Sequence, residues 1–142
     1  MNWVFLRGLT REARHWGGFM TQFEAVLAPS RVIALDLPGT GKFHSLSLPL
    51  KVQDIDMSAR QQLLAQGIKP PYALMGMSLG AMVCIDWAQR FGQKVSCLVL
   101  INTSMRPHSS KLQRLRAEQW LPLLGLTANV AMGSMPNAAF MA

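Results

Sequence analysis

Apolar residues in this chain come in short runs separated by longer amphipathic stretches. Trp3-Val4-Phe5-Leu6 is an apolar run halted by Arg7-Gly8, and it reads as a buried strand. Residues 12–27 follow, with Trp16, Phe19, Met20, Phe23, Val26 and Leu27 at spacings of three and four. That spacing predicts one helix with a single apolar face, ended by Pro29-Ser30. Residues 31–35, Arg-Val-Ile-Ala-Leu, are rich in β-branched side chains and predict a second strand. The Pro/Gly cluster Asp36-Leu37-Pro38-Gly39-Thr40-Gly41 then reads as a loop. A polar helix is predicted over 52–66, carrying Ile55, Leu63 and Leu64 and stopped by Gly67. Pro70-Pro71 leads into a third strand over 72–75, and a helix runs from just after it to Phe91, capped by Gly92. A nearly continuous apolar fourth strand spans 95–101. Loop is predicted over 102–110 and a helix over 111–124, interrupted by Pro122. The order β-α-β-α-β-α-β predicts an α/β fold with a doubly wound, mostly parallel sheet covered on both faces.

The remaining stretch is of another kind. Residues 119–142 hold no charge after Glu118, together with Gly125, Gly133 and Pro136, and match neither period. The expected organisation is a core over 1–118 and a partial cap region or irregular tail over 119–142.

Composition narrows the class. Of 142 residues, 50% are hydrophobic and 15% charged, which excludes a disordered chain and allows one domain with a modest core. The two cysteines, Cys84 and Cys97, make neither a disulfide framework nor a zinc site. No apolar run reaches the length of a membrane span, so the cytoplasm is the expected location, with no metal or other cofactor. The formal charge of +7 raises the question of nucleic acid or an anionic surface. Its densest patch, Arg106, Lys111, Arg114 and Arg116, has no interleaved aromatic residue, and no nucleic-acid-binding motif occurs. The patch reads as a solvated helix face, and no nucleic-acid partner is expected.

Gly76-Met77-Ser78-Leu79-Gly80 carries the chemistry. A G-x-S-x-G sequence between a strand and a helix is the setting of a nucleophile elbow, a sharp turn that holds the serine up into a site. Gly76 and Gly80 would remove Cβ atoms that crowd such a turn. The following helix N-terminus aims N–H groups at the reacting centre.

With Leu6-Arg7-Gly8-Leu9 after the first strand and Asp36-Leu37-Pro38-Gly39-Thr40-Gly41 after the second, the sequence resembles the N-terminal part of the α/β-hydrolase fold family. The resemblance covers about residues 3–118, including the strand ending Val99-Leu100-Ile101-Asn102. It implies a partial α/β-hydrolase fold in which the first strand lies between the second and third. It implies Ser78 as the catalytic nucleophile, Gly76 and Gly80 as elbow glycines, and the backbone N–H groups of Leu9 and Leu79 as the oxyanion hole. The family usually has His where this chain has Arg7.

The resemblance also implies an acid and then a histidine after the serine. Downstream of Ser78 stand only Asp86, Glu118 and His108. Asp86 falls two turns into the next helix and is expected to face away from the site. The fourth strand ends in Asn102, and His108 comes too soon after it. His44 lies on the correct sheet edge, while His15 belongs to the first helix; both read as surface or packing residues, and Cys84 and Cys97 as core. The expectation is a serine hydrolase of carboxylic esters or thioesters, truncated before its acid and base. The alternative is an inactive protein that binds an acyl ligand or a partner. A bare fourth strand would leave an exposed hydrophobic edge, so self-association is expected as well.

Overall fold

The computed structural model of the chain describes residues 1–103. The basic patch from Arg106 to Arg116, the helix expected over 111–124, His108, Glu118 and the 118/119 boundary lie outside the described residues.

Four parallel strands form one sheet: β1 (Asn2–Leu6), β2 (Arg31–Leu35), β3 (Tyr72–Met77) and β4 (Val95–Ile101). Their order is β2-β1-β3-β4. The first strand thus lies between the second and third, as the resemblance implied. In register, Leu6 stands opposite Leu35 on one side and Gly76 on the other. The chain changes its direction of travel across the sheet at β1. The carboxyl ends of β1 and β3 therefore flank a topological switch point, where open α/β sheets bind ligands.

Side-chain alternation divides the core in two. On one face Val4, Leu6, Ile33, Leu35 and Leu74 pack against α2 (Val52–Ala65) and α3 (Leu79–Phe91) through Ile55, Ala59, Leu63, Val83 and Trp87. On the other, Trp3, Phe5, Val32, Ala73 and Met75 pack against Trp16 and the half-buried Met20 and Phe23. Phe5 sits 4.8 Å from the Trp16 ring and Trp3 sits 4.9 Å from Phe23. Such pairs add to plain burial.

Three sequence expectations change in detail. The single helix over 12–27 is a 3-10 turn, Ala13–Trp16, followed by the shorter α1 (Phe19–Val26). Gly17 takes φ +52°, a conformation that breaks the helical run. Leu64 and Val26, placed on apolar faces by spacing, are 79% and 82% exposed. β4 is half-buried at best, because among the described residues it pairs with β3 alone, and Leu98 and Leu100 reach solvent. The stop at Gly67 holds: the Gly67 and Ile68 N–H groups donate to Leu64 and Leu63 carbonyls, the Schellman closure. Among the described residues no helix is long and apolar enough to cross a membrane.

The α2–α3 seam contains a charge that periodicity does not reveal. Asp56 is fully buried, and Arg60 Nε donates to both its oxygens at 3.1 Å. Arg90 reaches the same carboxylate from α3 at 3.5 Å. Both guanidinium groups also lie over the Phe91 ring, at 4.1 and 5.3 Å. Desolvation raises the Asp56 pKa above 3.8 and outweighs the lowering by Arg60. The folded chain thus holds this proton more tightly than the unfolded chain does. The stability Asp56 contributes is full below pH 3.8 and is lost as pH rises through the raised value. Asp56→Asn cannot ionise, so its Tm relative to the parent should climb in thermal melts as pH rises above 3.8 and through the raised value. A difference that stays constant with pH would contradict a desolvated Asp56.

Candidate active site

Ser78 occupies the turn between β3 and α3. Its backbone is at φ +53°, ψ −116°, a region that side-chain-bearing residues seldom adopt. The turn is braced on both sides. The Ser78 N–H donates to the Ile101 carbonyl of β4 at 3.0 Å, and the Ser78 carbonyl accepts from Ala81 N–H at 3.0 Å and Met82 N–H at 3.2 Å. Thr103 Oγ1 donates to the same carbonyl at 3.3 Å. The serine side chain does not cap α3, and the residue is exposed at the carboxyl end of the sheet.

The glycines around it are close-packed for a reason. A Cβ on Gly76 would lie 2.5 Å from Ala81 Cα and from the Gly80 carbonyl oxygen. A Cβ on Gly80 would run into the Leu6 carbonyl and come within 2.6 Å of the Arg7 carbonyl. Both glycines are sterically required, one for the turn and one for the approach of α3 to the end of β1. Gly8 faces the serine: a Cβ there would sit 3.0 Å from Ser78 Cβ and 3.5 Å from its Oγ. Leu9 follows directly, with its side chain exposed. Leu79 opens α3 next to the serine. Among the described residues nothing accepts from the backbone N–H of Leu9 or Leu79.

The loop that carries Leu9 is anchored to β2. Asp36 is buried, and its carboxylate accepts from Ala13 N–H at 2.7 Å and Lys42 N–H at 3.1 Å. Gly41, at φ +49°, packs so tightly on this carboxylate that a side chain would displace it. The Asp36–Gly41 cluster is thus a strut between β2, the Ala13–Trp16 turn and the following loop. Spacing alone does not show that Arg7 packs on Trp16, with its guanidinium carbon 4.9 Å from the ring centroid.

The other candidates lie elsewhere. Asp86 accepts from Gln53 at 3.1 Å and pairs with Arg90 at 3.3 Å, on the α2–α3 seam and away from the serine. His15 Nδ1 accepts from the Glu12 N–H at 3.0 Å, closing a capping box. His44 Nδ1 lies 3.1 Å from the Gly41 carbonyl, in the loop after β2. Burial, with the nearby Asp56 charge, pushes the Cys84 thiol up to about 12, so it is no nucleophile at neutral pH. Cys97 is half-buried in β4. Among the described residues no histidine is hydrogen-bonded to Ser78.

Comparison with known proteins bears on the family and the fold. The chain is 32% identical over 85 residues to homoserine O-acetyltransferase from Geotalea uraniireducens, covering 58% of this chain and 23% of that protein. It is 36% identical over 92 residues to the pimeloyl-[acyl-carrier protein] methyl ester esterase of Chromobacterium violaceum, covering 65% of this chain and 34% of that one. An extracellular α/β-hydrolase from a Paenibacillus species superposes with a TM-score of 0.69 at 17% identity, over 96% of this chain and 55% of the other. The chain therefore spans about a quarter to a third of these curated relatives. The sequence profile of the alpha/beta hydrolase family matches residues 3–142, and the chain belongs to that family.

Proposed function

We propose that Ser78 is the nucleophile of an acyl-transfer site acting on carboxylic esters or thioesters. The observation that carries this reading is an exposed serine at φ +53°, on a strand-to-helix turn whose flanking glycines have no room for a Cβ. Ser78 Oγ would attack the carbonyl carbon and lose its proton to a base that the described residues do not supply. The tetrahedral oxyanion would be held by the N–H groups of Leu9 and Leu79, each such donor being worth about 3 kcal/mol of barrier. Collapse would break the C–O or C–S bond, expel the alcohol or thiol with the proton that the base had taken, and leave an acyl-serine. Water would then release the acid in a hydrolase, and an alcohol would take the acyl group in a transferase. The named relatives include one of each kind. The cytoplasmic location belongs to the same reading and rests on the two free thiols. Self-association through the edge of β4, which among the described residues pairs with β3 alone, belongs to it too, and rests on the exposed Leu98 and Leu100.

One observation favours a second reading. With no histidine bonded to Ser78 among the described residues, the elbow could serve only to bind an acyl group. A fluorophosphonate probe separates the two, since it phosphonylates only an activated serine. Mass spectrometry should find the adduct on the peptide containing Ser78 and no adduct in Ser78→Ala. An unmodified wild-type chain, or an adduct that survives the substitution, would leave acyl binding as the better account.

A further inference from the structure

Arg7 stands where the resemblance leads one to expect histidine, one residue before the glycine that packs on Ser78. Alternation along β1 places it on the side of Trp3 and Phe5, and there it stacks on Trp16. It is half-buried: its Nε is buried without an acceptor, and only its two terminal nitrogens, which are not among the buried unpartnered atoms, are open to a ligand. A guanidinium does not lose its charge, and it offers five donors in a plane. Neither carboxylate of the adjoining segment serves it. Glu12 pairs with Arg14, and Asp36 is taken by the Ala13 and Lys42 N–H groups. Among the described residues Arg7 makes no ion pair and no side-chain hydrogen bond.

A partly desolvated cation without a counter-ion is costly, and the cost is offset when a ligand brings the anion. The Trp16 ring, 4.9 Å from the guanidinium carbon, holds the side chain in place, so less ordering remains to be done at binding. We propose that Arg7 recognises an ionised carboxylate on the substrate, so that the preferred substrate is an ester or thioester bearing a second, free carboxylate. The formal charge of +7 works in the same direction by attracting anions. This inference rests on the acyl-transfer reading for the position of the scissile carbonyl, but its test does not require turnover.

The test is equilibrium binding of monomethyl glutarate and of dimethyl glutarate to the full chain, measured by calorimetry. The two differ in one negative charge. The wild-type chain should bind the monoester at least about tenfold more tightly. Arg7→Gln should erase that preference, and Arg7→Lys, which keeps the charge and loses the planar fork, should retain part of it. Circular dichroism of both variants establishes that they fold. Equal affinity of the wild-type chain for the two esters, or no binding of either, would overturn the proposal. So would an equal loss for both in Arg7→Gln, which would make Arg7 a brace for the loop alone. The readout is binding and not turnover, so a chain that fails to react with the fluorophosphonate still reports on Arg7.

Discussion

Gly80→Ala should lower the free energy of unfolding by about 3 kcal/mol, the upper end of the usual cost of overpacking. A methyl group at this position meets the carbonyls of Leu6 and Arg7, and both are backbone atoms of β1 and its continuation. They cannot rotate aside as a side chain would. Either α3 lifts from the sheet or the end of β1 shifts, and both movements disturb the Gly8–Ser78 contact. Gly92→Ala is the control. Gly92 has nothing within 4 Å of its added Cβ and sits at φ −53°, so alanine fits there. That change should gain about 0.5 kcal/mol by restricting the unfolded chain. Urea unfolding of the two variants reads the contrast directly. Equal stability would mean that α3 does not approach β1 as closely as described.

The same glycines show why the shape of the β3–α3 turn was legible beforehand. A nucleophile elbow is local: strand, Gly-x-Ser-x-Gly and helix follow one another in the chain, and the steric need for glycine lies within a few residues. The strand positions were legible for a related reason, since buried parallel strands are continuous apolar runs, although β3 runs two residues past the expected end at Met75, through Gly76 to Met77. What escaped was set by contacts between distant segments. Asp56 belongs to a helix that reads as polar, yet it is fully buried, because Arg90 from another helix helps to satisfy it. The Arg7–Trp16 stack joins residues nine positions apart across a turn, and no period encodes such a pair. The break after Trp16 escaped because a glycine inside an apolar period is compatible with both a continuous helix and a kink. Only φ +52° at Gly17 decides between them.

Ser78→Gly should make the chain more stable while removing all reaction at this position. A residue with a Cβ held at φ +53°, ψ −116° carries about 1–3 kcal/mol of backbone strain. Glycine adopts that conformation freely, and its added freedom in the unfolded chain returns about 0.4–1 kcal/mol of the gain. A net increase of about 1 kcal/mol is expected, or roughly 3 °C in Tm. Ser78→Ala provides the contrast, since it loses the hydroxyl and keeps the Cβ, and hence keeps the strain. Both variants should be blind to the fluorophosphonate, and only Ser78→Gly should melt higher. If both melt with the parent, the turn is relaxed and the serine is not held against its preference. If glycine alone gains, the fold is spending stability to present one hydroxyl at the switch point. A turn whose only task was to join β3 to α3 would have no reason to keep a strained serine between two glycines.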